Sequence, residues 1–314
     1  MVLLLRVSNG PRLRVVPRIA PLLRADRFPW DDAVVSSLSP DAEPFSADGG
    51  PVGVLVLHGF TGSTQTVRDW AAHLAAAGLT VRAPLLAGHG GTWQDLAKTG
   101  WTDWYADASR AFAALSQRCS QVFVAGISMG GCLALRLAET QGPLVSGVIL
   151  VNPSLAADTP LIALAPALKY VLPSLRSIGG DIKKTGVAER AVKRTPVASV
   201  ATLPAMWRTT AASLASVTAP VLVFRSTVDH VVGPTSMKVL IAALPETEVR
   251  PLDNSYHVAT LDNDAPEIFD GTLSFIQKHV SLVHKRDHSS LEINAVASGG
   301  TERRRSGYKG LHCG

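Results

Sequence analysis

The 314-residue chain is 46% hydrophobic and 18% charged, a balance that fits one globular α/β domain with an insertion and a sizeable core. Its formal charge of +5 belongs to the ends: residues 1–30 carry six Arg against one Asp, and residues 281–314 six Lys or Arg against three acids. The stretch between them is net negative, which argues against a nucleic-acid partner for the body of the protein.

Along the chain, Met1 to Val7 has a short apolar run but lacks a convincing h-region and cleavage site of a signal peptide. With arginines at 12, 14, 18, 24 and 27, residues 1–30 read as a poorly ordered basic extension. From about residue 51, short apolar runs alternate with longer helix-like stretches, the pattern of a parallel sheet covered by helices. Strands are predicted at Val52–Leu57, Leu79–Ala83, Gln121–Gly126, Gly147–Val151, Pro220–Arg225 and Glu248–Leu252. Most are continuous Val, Leu and Ile, as strands buried on both faces require. Helices are predicted at Thr66–Ala77, Trp101–Gln117, Met129–Thr140, Pro234–Leu244 and Ala265–His279. The core thus spans residues 31–153 and 217–281. Between its halves, residues 154–216 are rich in Ala, Leu and Pro with no clear strand, and read as a helical cap. The prolines at 160, 166 and 173 divide its apolar run into short lid helices. Residues 282–314 turn polar and Gly/Ser/Arg-rich, with little to bury, and read as a disordered tail.

No uninterrupted apolar run approaches the ~18–20 residues of a membrane span. Cys119, Cys132 and Cys313 lie far apart without a CxxC pair, so no disulfide framework or zinc site is expected. The odd count fits a reducing, cytoplasmic setting. No His/Cys/Asp cluster has metal spacing and no Gly-rich loop has phosphate-binding form, so the expectation is no metal and no cofactor.

The sharpest signal is Gly126-Ile127-Ser128-Met129-Gly130. A serine hydroxyl is a weak nucleophile unless it is exposed beside a base, and a tight strand-to-helix turn projects it at the cost of backbone strain. Small residues two before and two after remove the clashes. Here the motif follows an apolar run and precedes a helix-compatible one, the context the mechanism needs. The helix starting near Met129 would aim its positive end at the serine, making the Met129 N–H an oxyanion donor. A second donor is expected from Phe60, in the His58-Gly59-Phe60 loop that ends a buried strand.

In chain order the acid and then the base follow the serine. Asp229 lies just beyond the strand Pro220–Arg225, and His257 beyond Glu248–Leu252; both fall at strand carboxyl ends, where such sheets put their sites. Asp253, Asp262 and Asp264 are rival acids, but they stand close to His257 in sequence. His230 adjoins Asp229 and cannot easily turn back to it. His89 is read as a loop brace and His279 as solvated.

These residues resemble the α/β-hydrolase superfamily, and more narrowly its small bacterial carboxylesterases and monoacylglycerol lipases. The matching stretches are VLVLHGFTGS, APLLAGHG, VFVAGISMGG, DHVV and NSYHVATLDND, across roughly residues 50–280. Ile127 departs from the leucine usual there. The resemblance implies an α/β-hydrolase fold with a small helical cap over an acyl pocket and no cofactor. It also implies a Ser128, Asp229, His257 triad and an oxyanion hole from the Phe60 and Met129 amides. The expected substrate is an acyl ester, best guessed as monoacylglycerol, with short- and medium-chain esters as a fallback. Thioesterase, acyltransferase or carbon–carbon bond hydrolase chemistry on the same triad is the alternative. A non-catalytic module binding membrane surfaces through the basic ends is the alternative from another class. Transient membrane contact through the cap or those ends is compatible with catalysis, and the oligomeric state is left open.

Overall fold

The structure, a computed structural model, describes Leu38 and residues 41–280, except 160, 161 and 163. The readings made for residues 1–30 and 282–314 lie outside the described residues.

The core is a seven-stranded sheet in the order β1-β3-β2-β4-β5-β8-β9. Its strands are β1 (Phe45–Ala47), β2 (Val52–Leu57), β3 (Thr80–Ala83), β4 (Gln121–Ile127), β5 (Val145–Val151), β8 (Val221–Ser226) and β9 (Glu248–Leu252). All neighbours are parallel except β1, which runs antiparallel to β3. Side chains alternate between the two faces. Leu55, Leu57, Val122 and Val124 pack under α3 (Trp101–Ser116) and α4 (Met129–Gln141). Val54, Val56, Phe123 and Ala125 pack against α1 (Arg68–Ala76) and the terminal helix α9 (265–280). Burial on both faces explains why these strands are apolar throughout. The Trp70 indole of α1 donates to Thr272 Oγ1 of α9 at 3.1 Å, so the large ring is buried without an orphan N–H.

Three features of the core differ from the sequence expectation. β1 is an added edge strand, the helix-like stretch before Arg68 is a 3₁₀ turn at Thr64–Thr66, and a short α2 (Trp93–Leu96) precedes α3. Residues 154–216, expected to hold no strand, contain α5 (Ala165–Leu168), α6 (Val197–Val200) and α7 (Leu203–Ala211) together with an antiparallel pair, β6 (Ser174–Arg176) and β7 (Arg194–Pro196). Three residues per strand are too few to display an alternation, and their pairing joins positions 20 or so apart. α8 (Pro234–Ala243) completes the layer beside α4.

The order places β3 on one side of β2 and β4 on the other, so successive connections leave the centre in opposite directions. That arrangement opens a crevice at the carboxyl ends of β2 and β4. The loops after Leu57 and Ile127 meet there. No helix among the described residues is long and apolar enough to cross a membrane.

Candidate active site

Ser128 sits at the β4–α4 turn with φ 55° and ψ −118°, in the left-handed region that a serine adopts only when its surroundings enforce it. Those surroundings are visible. The Ser128 N–H donates to the Val151 carbonyl at 2.9 Å, and its carbonyl accepts from the Ser154 N–H at 3.1 Å. A Cβ at Gly126 would collide with the Gly130 backbone, and one at Gly130 with the carbonyls of Leu57 and His58. The two glycines thus let α4 cross β4 and β2 closely enough to hold the turn. Met129 is the first residue of α4, so its N–H has no intrahelical acceptor.

Gly59 and Phe60 line one pocket with Ser128, and a Cβ on Gly59 would lie 3.4 Å from the serine Cβ. His58, fully buried, holds this loop. Its Nδ1 donates to the Gly59 carbonyl at 2.9 Å, while its Nε2 accepts from the Leu86 N–H at 3.1 Å. One nitrogen must donate and the other accept, so the ring is neutral, and burial accordingly pushes its pKa down to about 4. His89 braces the neighbouring loop through the Ala87 carbonyl at 3.1 Å and packs edge-on against His58 and Trp104. Burial drives its pKa well below the ordinary histidine value.

His257 lines the same pocket as Ser128, and its Nδ1 lies 3.0 Å from Asp229 Oδ2. That contact assigns the proton to Nδ1 and leaves Nε2 to accept one. The Asp229 side chain is wholly buried. Its Oδ1 accepts from the Val231 and Val232 amides at 2.9 and 2.8 Å, and its Oδ2 also accepts from Arg225 Nη1 at 2.7 Å. Burial raises the Asp229 pKa, but the His257 bond and charge and the two amides outweigh it, so the carboxylate is held below its ordinary range. The rival acids serve elsewhere. Asp262 accepts the Tyr256 and Lys183 amides, Asp264 accepts the Asn254 amide, and Asp253 is exposed. His230, mostly exposed, bonds to Asp181 at 2.8 Å. His279 caps a carbonyl of its own helix, that of Phe275.

Several site residues escaped the sequence reading. Asn152, at the end of β5 with φ 45°, donates to the His257 carbonyl and to Ser226 Oγ, both at 2.9 Å, and accepts from the Ser226 N–H. It ties the end of β8 to the loop that carries His257. Asp181, from the insertion, accepts the His257 N–H at 3.1 Å. Glu189, also from the insertion, lines the pocket and accepts the Gly180 N–H at 2.6 Å. Burial raises its pKa, against lowering by that amide and by the His257 charge. No local motif announces these three; their role depends on where the insertion folds. Among the described residues, no cluster of three or more His, Cys, Asp or Glu could hold a metal ion.

Residues 52–264 match the family described as serine aminopeptidase, S33. The chain is 43% identical over 241 residues to a thermostable monoacylglycerol lipase of Bacillus sp. (strain H-257), covering 76% of this chain and 95% of that one. It is 25% identical over 240 residues to a carboxylesterase of Bacillus subtilis (strain 168), covering 75% and 96%. A solved structure from work on LipS and LipT, two metagenome-derived lipolytic enzymes, superposes with a TM-score of 0.75 at 39% identity, over 77% of this chain and all of the other. The chain therefore belongs to the S33 serine aminopeptidase family, and its architecture is the α/β-hydrolase fold.

Proposed function

We propose that this chain is a serine hydrolase of acyl esters, with monoacylglycerol as its substrate class and short- or medium-chain esters within its range. The enzyme is a carboxylic ester hydrolase, in line with the relatives named monoacylglycerol lipase and carboxylesterase. The observation that carries the mechanism is a strained, pocket-facing Ser128 sharing that pocket with a histidine whose far nitrogen is held by a buried carboxylate.

In the first step His257 Nε2 takes the Ser128 hydroxyl proton as Oγ attacks the ester carbonyl carbon. The carbonyl π electrons move to oxygen, and the Phe60 and Met129 N–H groups stabilise that oxyanion. As the tetrahedral intermediate collapses, the C–O bond to the alcohol breaks and the imidazolium returns its proton to the leaving oxygen. Water then gives a proton to His257 and attacks the acyl carbonyl; the acyl–Oγ bond breaks, the imidazolium returns the proton to Oγ, and the carboxylic acid leaves. Asp229 fixes the imidazole tautomer and stabilises the imidazolium formed in each step.

Ile127, Ile178, Val231 and Val258 give the pocket an apolar wall suited to an acyl chain, and Glu189 adds an acceptor suited to glycerol hydroxyls. Leu164, Leu168, Tyr170, Val171, Leu175 and Ile178 are exposed on the insertion, and Ile178 also reaches the pocket. This apolar rim suits transient contact with a lipid surface by an otherwise cytoplasmic protein. The free, buried Cys119 and Cys132 are consistent with that compartment.

Hydrolysis of monoacylglycerols of increasing chain length, beside di- and triacylglycerols and an aminoacyl arylamide, tests the reading. Turnover restricted to monoacylglycerols and simple esters, abolished in Ser128→Ala, is the expected result. Undiminished turnover in Ser128→Ala, or preference for the arylamide, contradicts it.

A further inference from the structure

Asp229 Oδ2 receives two N–H donors, one from His257 Nδ1 at 3.0 Å and one from Arg225 Nη1 at 2.7 Å. Arg225 stands near the end of β8, four residues before the acid, and its other arm, Nη2, donates to the Val232 carbonyl at 2.6 Å. Its side chain is 17% exposed, so the guanidinium is fixed against the carboxylate with little water between. With both amides on Oδ1, every acceptor direction of the carboxylate is used.

The purpose of the triad acid is to favour the imidazolium that forms as serine is deprotonated. A permanent cation on the same oxygen neutralises part of that charge and repels the imidazolium across a single atom. We infer that Arg225 is a positioning residue that, by sharing Asp229 Oδ2 with His257, weakens the support the carboxylate gives to the imidazolium and so sets the acid limb of turnover. This rests on the hydrolase reading above.

The other charged groups around His257 leave that assignment with Arg225. Asp181, from the insertion, bonds the His257 backbone N–H, and its other oxygen is engaged by His230. Glu189 lies across the pocket, a group whose carboxylate would favour the imidazolium. Asp262 binds the Tyr256 N–H, and the Lys183 ammonium lies 5.9 Å from the Tyr256 ring centre. Of these groups only Arg225 is a cation bonded to the acid that holds the base. Nor is it required by the elbow or the oxyanion loop, which are held by other contacts.

The test is kcat/KM for a soluble aryl acyl ester from pH 5 to 9 in wild type, Arg225→Met, Arg225→Gln and Arg225→Lys. Covalent labelling of Ser128 by a fluorophosphonate is run in parallel. Both neutral variants should move the midpoint of the acid limb upward by about one pH unit, roughly tenfold in relative rate below it, while Lys leaves it at the wild-type position. A brace without electrostatic effect would lower the rate equally at every pH and leave the midpoint fixed, and that result overturns the proposal. Circular dichroism identifies any variant that fails to fold; should Met do so, the Gln and Lys pair decides. If the wild type is not labelled at all, the hydrolase reading fails. If all variants are labelled and the limb stays put, only the role of Arg225 does.

Discussion

On the proposed mechanism the chemistry also rests on residues placed behind the pocket, and His58 is one of them. Its neutral ring connects the Leu86 amide to the Gly59 carbonyl and so orients the peptide that carries the Phe60 N–H. His58→Ala should lower kcat by about tenfold to a hundredfold with KM little changed, less than the ~10²–10³ of losing an oxyanion donor outright. The same residue carries a pH signature. Its folded pKa of about 4 lies below the unfolded value near 6.5, so protons bind the unfolded chain first as pH falls. The stability it contributes is therefore fully present above about pH 6.5 and is lost as pH drops towards 4. His89 acts in the same direction. Thermal unfolding midpoints at pH 7 and pH 4.5 should fall less in His58→Gln than in wild type; an unchanged difference would refute the assignment.

At the scale of elements, the β4–α4 junction is the most constrained piece of the molecule. Gly130 is the point where α4 passes over the end of β2, and any Cβ there meets the Leu57 and His58 carbonyls. Backbone cannot yield as a flexible side chain can, so Gly130→Ala should destabilise by about 1–3 kcal/mol or more and also displace the oxyanion loop. Denaturant unfolding with kcat on the same variant checks both effects; a loss of stability with full activity would mean the loop does not depend on this contact. This junction was legible in the sequence because the clash is local: strand, turn and helix are consecutive, and the glycines fall at fixed offsets from the serine. The same holds for Asp229 and His257, each in the loop just after a strand, β8 being apolar and β9 mixed. β1, β6 and β7 were not legible, since three-residue strands show no period and owe their existence to distant partners. Asn152, Asp181, Glu189 and Arg225 were hidden for the same reason, because their partners are set by folding.

Across the whole molecule, the sheet supplies the rigid frame, and the insertion finishes the site. The frame brings the ends of β4, β8 and β9 to one edge, so Ser128, Asp229 and His257, 28 to 129 residues apart in sequence, can act together. The insertion is fastened to the base loop, not merely laid over it. Asp181 bonds the His257 N–H, and the buried Asp262 accepts the Lys183 and Lys184 amides at 2.6 and 2.8 Å while also holding Tyr256. The exposed apolar side chains of α5 and its neighbours lie in the insertion outside this fastened stretch. The proposed chemistry depends on an imidazole at 257 activating a hydroxyl at 128. Mass spectrometry after fluorophosphonate treatment tests that most directly, applied to the wild type and to His257→Ala. A single adduct on the peptide containing Ser128, formed at least a hundredfold more slowly in the variant, is predicted; an adduct on another residue, or equal rates in the two proteins, would contradict it.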